Sequence, residues 1–157
     1  NLETNNMEEI EIACFTHALQ LASNEFYLDA IAEFDGLVKE FPDSDLADDA
    51  LYNAGLCYFQ TNQFEDAIKK YQEVIDKYPD STISELEGGN EFGRTAGKCR
   101  YSMVNACLAL GEVEKARSHA ANLAGFEDTY VLVDGNKKTY ANLAEHALNT
   151  YLETVGR

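Results

Sequence analysis

Small and apolar residues recur at helical spacing through residues 48–81. Leu51, Ala54, Gly55 and Tyr58 fall at the i, i+3, i+4, i+7 positions of one helix face. Phe64, Ala67, Ile68, Tyr71, Val74, Ile75 and Tyr78 trace a second such stripe. Between them Thr61-Asn62-Gln63 is a short polar turn, and Pro79 ends the second helix because it cannot continue one. Two amphipathic helices joined so tightly lie antiparallel, with Gly55 and Ala67 small enough to let them approach closely.

The pattern occurs twice. A shift of 37 residues (Ala30 to Ala67, Pro42 to Pro79) lays Asp29-Ala30-Ile31 on Asp66-Ala67-Ile68, Pro42-Asp43-Ser44 on Pro79-Asp80-Ser81, and Phe34 on Tyr71. The segment from Tyr27 to Phe41 is therefore a second copy of the helix that starts at Phe64, and Asp or Ser after each Pro is positioned to cap the next helix. With Gly55, Tyr58, Ala67, Tyr71 and Pro79 at its small, aromatic, Ala, aromatic and Pro positions, the hairpin resembles a tetratricopeptide (TPR) repeat. The 37-residue period and the YPDS motif are similar to the Tol-Pal-associated cell-division coordinator family and to the outer-membrane assembly lipoproteins with TPR folds.

Elsewhere the pattern is looser. Residues 1–6 are polar and read as a frayed end; Ile12, Cys14, Phe15, Ala18, Leu19 and Leu21 mark a helix over Met7–Ala22. After Ser81 the register breaks: the next Ala position, Ala116, lies 49 residues past Ala67, and the surplus falls in a Gly-rich stretch. That stretch reads as an inserted loop with at most one helical turn. Its Gly93-Arg94-Thr95-Ala96-Gly97-Lys98-Cys99 superficially matches a phosphate loop, but it is one residue short, ends in Cys, and no strand is read before it. A third hairpin comes next, with Met103, Val104, Cys107 and Leu108, a turn at Gly111, then Val113, Ala116, Ala120 and Leu123. Residues 125–137 fit either a short helix and turn or a small extended piece. Tyr140, Leu143, Ala144, Ala147, Leu148, Tyr151, Leu152 and Val155 form the stripe of a last helix, which in TPR arrays covers the final repeat. The expected fold is all-α: one TPR-like right-handed array with repeats over about 7–42, 45–79 and 96–124, an insertion over about 82–95, and a capping helix over about 139–155.

Composition fits one domain of 157 residues, 45% hydrophobic and 25% charged, with its two prolines at helix ends. The net charge of −16 is unevenly placed: residues 1–93 carry 21 acidic and 4 basic side chains, residues 94–157 carry 7 and 8. Such an acidic body repels phosphates and so argues against nucleic acid and anionic membrane surfaces. It suits a solvated face, a basic partner, or pairing of the acidic part with the near-neutral C-terminal part of another copy. No apolar run approaches the ~20 residues that span a bilayer. Cys14, Cys57, Cys99 and Cys107 form no CxxC, and helix-buried free thiols favour a reducing compartment, the cytoplasm, whereas the envelope-like period favours a bacterial periplasm.

Candidate chemistry is sparse. His17, His119 and His146 lie in different hairpins without a ligand-spaced partner, and no nucleophile–base signature occurs. No catalytic site, metal or cofactor is expected. The TPR resemblance instead implies a concave groove lined by the first helix of each hairpin. Carried over, it selects Ile12, Phe15 and Leu19; Asp49, Tyr52, Asn53, Leu56, Phe59 and Gln60; and Lys98, Tyr101, Ser102, Asn105 and Leu108. A clamp for a C-terminal carboxylate would need Lys and Asn where Phe15 and Leu19 stand, and only Asn53 and Lys98 match. Phe15, Leu19, Tyr52, Asn53, Leu56, Phe59, Tyr101 and Asn105 are thus the expected partner-binding residues, an apolar and aromatic surface for a protein peptide or helix. The alternatives are that these aromatics pack between hairpins or under the last helix, that the chain is a homo-oligomeric building block, or that it is an accessory domain of a larger complex.

Overall fold

A computed structural model describes residues 2–155. Seven α-helices succeed one another: α1 (Leu2–Ser23), α2 (Tyr27–Glu40), α3 (Ala47–Gln60), α4 (Phe64–Lys77), α5 (Thr95–Ala109), α6 (Val113–Ala121) and α7 (Tyr140–Val155). They pair as three antiparallel hairpins closed by α7, a TPR-like array. The internal repeat is visible in the element bounds, since α2 and α4 are both 14 residues long and start 37 positions apart (27 and 64). Each hairpin turn passes through one left-handed residue: Glu25 (φ 66°), Asn62 (φ 62°) and Gly111 (φ 74°). These fall at the 37- and 49-residue offsets read from the sequence, so the turns are equivalent even where the side chains are not.

Packing rather than capping holds the helices. None of α2 to α6 has an N-cap side-chain hydrogen bond. The Ser44 hydroxyl accepts from the Leu46 amide at 3.1 Å, one residue before α3, which replaces the expected cap. Three apolar clusters run along the array. Phe15, Phe34 and Leu37 centre the first, Tyr71, Val74 and Met103 the second, and Val104, Leu123 and Leu148 the third. Full burial of each such side chain is worth about 1.5–3 kcal/mol. Gly55 is required where α3 meets α4, because a Cβ there would lie 2.5 Å from the Tyr71 ring.

One expectation is corrected. The chain is helical from Leu2 rather than frayed through residue 6 (Asn1 lies outside the described residues): Glu3 in the first turn complements the helix dipole, and a polar helix end leaves no hydrophobic stripe to read. The expected helical array is observed, and it carries a small sheet. A small antiparallel sheet, order β1-β2-β3, joins β1 (Glu91–Phe92) from the insertion to the hairpin β2 (Tyr130–Val133) and β3 (Asn136–Thr139). Asp134 and Gly135 turn that hairpin at φ 53° and 79°, a two-residue turn with the Asp-Gly signature that matches strand twist. The extended alternative for residues 125–137 is the observed one.

Candidate functional site

The inserted segment does not project into solvent; it is a strap laid across the concave face. Thr82 bridges to Arg94, a single 3₁₀ turn spans Glu85–Glu87, and β1 then joins the sheet. The strap's far end is fixed by Arg94, whose guanidinium donates to both Asp128 carboxylate oxygens (3.2 and 3.0 Å) and to the Gly125 carbonyl (2.7 Å). This pair holds the exposed Asp128 carboxyl below the usual carboxylate range.

Beneath the strap lies a buried polar cluster. Lys98, in the first turn of α5, points inward with its side chain 8% exposed; its ammonium is 2.7 Å from Glu91 and 3.8 Å from Glu87. The same ammonium sits 4.0 Å above the Tyr52 ring, a cation–π contact in a desolvated place. Asn53 donates to the Glu87 carboxylate and, at 2.8 Å, to the Asp49 carbonyl. The Tyr140 hydroxyl donates to Glu91, which joins the start of α7 to the strap. Asp49 accepts the Ser84 amide at 2.9 Å, and Asp48 accepts the Thr95 hydroxyl at 2.6 Å. Burial pushes the Asp49 carboxyl well above the ordinary carboxylate range, reinforced by its hydrogen bond with Glu87 and by the Asp48 charge beside it. Asp48 is raised by burial too, although the Thr95 hydroxyl opposes the shift. A protonated Asp49 donating to Glu87 also accounts for Asp49 Oδ2 and Glu87 Oε2, both buried and otherwise unpartnered.

These contacts decide the resemblance to a phosphate loop. A strand, two-residue β1, does precede Gly93, contrary to expectation, but Thr95 and Lys98 are engaged by Asp48, Glu91 and Glu87. Carboxylates already hold the groups that would cradle a phosphate.

What remains of the concave face is a cavity of about 540 Å³. Five of the eight sequence-selected residues line it: Leu19, Tyr52, Asn53, Leu56 and Tyr101. Phe59 and Asn105 line an adjoining pocket of about 110 Å³ that shares Tyr52, Leu56 and Tyr101. Phe15 does not join them. It is fully buried in the first cluster with its ring edge-on to Phe34 (centroids 5.8 Å apart), because the inward stripe of α1 runs through it. Tyr52 and Asn53 reach the cavity but are each only 7% exposed, Tyr52 being held between Tyr71 and Lys98. Nor does α7 fill the groove: it packs on α5 and α6 through Ala144 and Leu148, and only Tyr140, 5.3 Å from the Tyr101 ring, reaches in. Of the six remaining lining residues, Leu86, Glu87, Glu91 and Val131 come from the strap and the sheet, Lys98 from α5 and Tyr140 from α7.

The other titratable groups are dispersed. His17 contacts Glu33 at 2.5 Å on the exposed side of the first hairpin. Burial, aided by the Arg100 guanidinium 3.1 Å away, lowers the His119 pKa. Cys57, Cys99 and Cys107 are buried free thiols, with burial raising each pKa, and Cys14 is half-buried. Among the described residues no group of three or more His, Cys, Asp or Glu is arranged to hold a metal ion, and no helix is long and apolar enough to cross a membrane.

Comparison with known proteins agrees with this architecture. The tetratricopeptide repeat family model matches residues 49–81, which is all but the first two residues of α3, then α4 and the turn after it. No curated protein sequence matches the chain. Among solved structures, yeast Tom70 superposes with a TM-score of 0.63 at 16% identity, covering 94% of this chain and 24% of Tom70. The Hsp90 co-chaperone Cns1 from Saccharomyces cerevisiae superposes with a TM-score of 0.66 at 13% identity, covering 94% and 41%. The chain thus spans less than half the length of either structure. Nothing in these matches supports the narrower likeness to the Tol-Pal-associated coordinators or the outer-membrane assembly lipoproteins. The chain carries a segment matching the tetratricopeptide repeat at residues 49–81, set within a TPR-like helical array.

Proposed function

We propose that the chain is a non-catalytic protein-interaction module that seats an extended segment of a partner protein in its concave cavity. The observation that carries this reading is the convergence of Leu19, Leu56 and Tyr101, from three successive hairpins, on one cavity of about 540 Å³. Such a volume lies in the range of small-ligand and peptide sites. An extended peptide with two or three apolar side chains matches the apolar groups that line it, Leu19, Leu56 and Tyr101. The similarity of fold to Cns1, a co-chaperone of another protein, supports a binding role of this general class.

Site-specific photo-crosslinking in native lysate tests the proposal. A benzophenone amino acid replacing Leu56 is expected to capture a discrete partner. The same group at Lys69, on the solvent side of α4, is expected to capture none. Equal labelling from both positions, or none from Leu56 in a folded protein, would sink the concave-site reading.

A further inference from the structure

A second surface adjoins the concave cavity, with Leu86 at the edge of both. The exposed first half of α1, the 43–46 turn and the strap enclose a groove of about 600 Å³. Its apolar floor is held open to solvent, with Met7 50%, Ile12 45% and Leu86 42% exposed. Glu8, Glu11, Asp43 and Asp45 rim it, and no lysine or arginine lines it. Its complement must bring bulky apolar side chains together with a cation.

The outer face of the sheet meets that description. Phe92 pairs with Tyr130 and Leu132 with Lys137 across the strands, so all four share one face, Tyr130 and Leu132 being two apart on β2. Contacts agree: Phe92 stacks on Tyr130 at 5.2 Å, and the Lys137 ammonium lies 4.4 Å from the Tyr130 ring centroid. Phe92 is 39% and Leu132 38% exposed. The opposite face, with Glu91 and Val131, lines the concave cavity and is a different surface.

We propose that the groove at Met7, Ile12 and Leu86 receives the Phe92–Leu132–Lys137 sheet face of a second copy of this chain. Charge selects this occupant. The groove is rimmed by Glu8, Glu11, Asp43 and Asp45, whereas the sheet face carries Lys137 beside its apolar side chains. Docking in this sense opposes unlike surfaces and avoids setting two acidic regions together. In a two-fold dimer each copy offers its groove to the other's sheet face, so the same contact forms twice about one axis. The patches are small, which sets a weak association with a Kd of roughly 10⁻⁵ to 10⁻³ M.

Sedimentation equilibrium of the full chain across that range tests the proposal with Glu8→Lys, Lys137→Glu and the double variant, whose positions are exposed and outside the core. Each single reversal is expected to raise the dimer Kd at least about tenfold, and the double variant to return to within about threefold of wild type. A wild type that stays monomeric at millimolar concentration, or a double variant weaker than either single, overturns it. So does a monomer whose Met7 and Ile12 signals respond only to an added Lys-Leu-Phe-Lys peptide, which would assign the groove to another protein's basic segment.

Discussion

Replacing Asp49 by Asn isolates what anchors the strap. Asp49 is fully buried; its Oδ1 accepts the Ser84 amide, and its Oδ2, buried with no other partner, is satisfied by a proton shared with Glu87. Asparagine copies the protonated acid, with an oxygen for Ser84 and an N–H for Glu87. The folded carboxyl keeps its proton above the unfolded value of about 4, so at higher pH folding must take up a proton. Its contribution is therefore complete below about pH 4 and is lost as pH rises toward the raised folded pKa. One linked proton changes stability by about 1.4 kcal/mol per pH unit, which sets an upper limit of about 4 kcal/mol between pH 5 and pH 8. Asp48 is shifted in the same direction but is present in both proteins and largely cancels. Urea denaturation at intervals from pH 5 to 8 should show wild-type stability falling relative to Asp49→Asn, the difference growing by about 2–4 kcal/mol across the range. Parallel pH profiles, or a variant destabilised at pH 8, would refute the shared proton.

Two further substitutions probe the scaffold. Lys98→Met leaves Glu91 and Glu87 buried without their cation and should cost about 3–5 kcal/mol in denaturant, with faster amide exchange across residues 84–92; a loss below 1 kcal/mol would mean that water reaches the pair. Gly55→Ala drives a methyl against the Tyr71 ring and should cost about 1–3 kcal/mol in thermal unfolding, and an unchanged melting temperature would show that α3 and α4 separate freely.

The array was legible in the sequence because its determinants are local and repeat. Apolar residues at helical spacing, Pro42 and Pro79, and the Gly55–Tyr71 approach all lie within one hairpin or recur at a fixed offset. The strap cluster was not legible. Lys98, Glu87, Asp49 and Tyr140 come from four separate segments, and no spacing rule relates a carboxylate in a glycine-rich insertion to a helix start that precedes it by some 40 residues in the chain. The same gap explains Tyr52 and Asn53, which hold groove positions of the repeat but are covered by the strap. Phe15 was misplaced for another reason: α1 turns that side chain inward, where Phe34 of α2 needs an aromatic partner. The β-hairpin had a usable signal, Asp134-Gly135 between Tyr130–Val133 and Asn136–Thr139, that short length and two lysines obscured.

The most direct test of the concave-site reading is to select peptides on the immobilised full chain from a random display library and map an enriched sequence by amide chemical-shift perturbation. The proposal predicts a linear peptide with two or three apolar anchors whose shifts centre on Leu19, Leu56, Tyr101 and Val131, and which binds at least tenfold more weakly to Tyr101→Ala. Shifts confined to the outer faces of α2 and α4, or selections that enrich nothing, would contradict it.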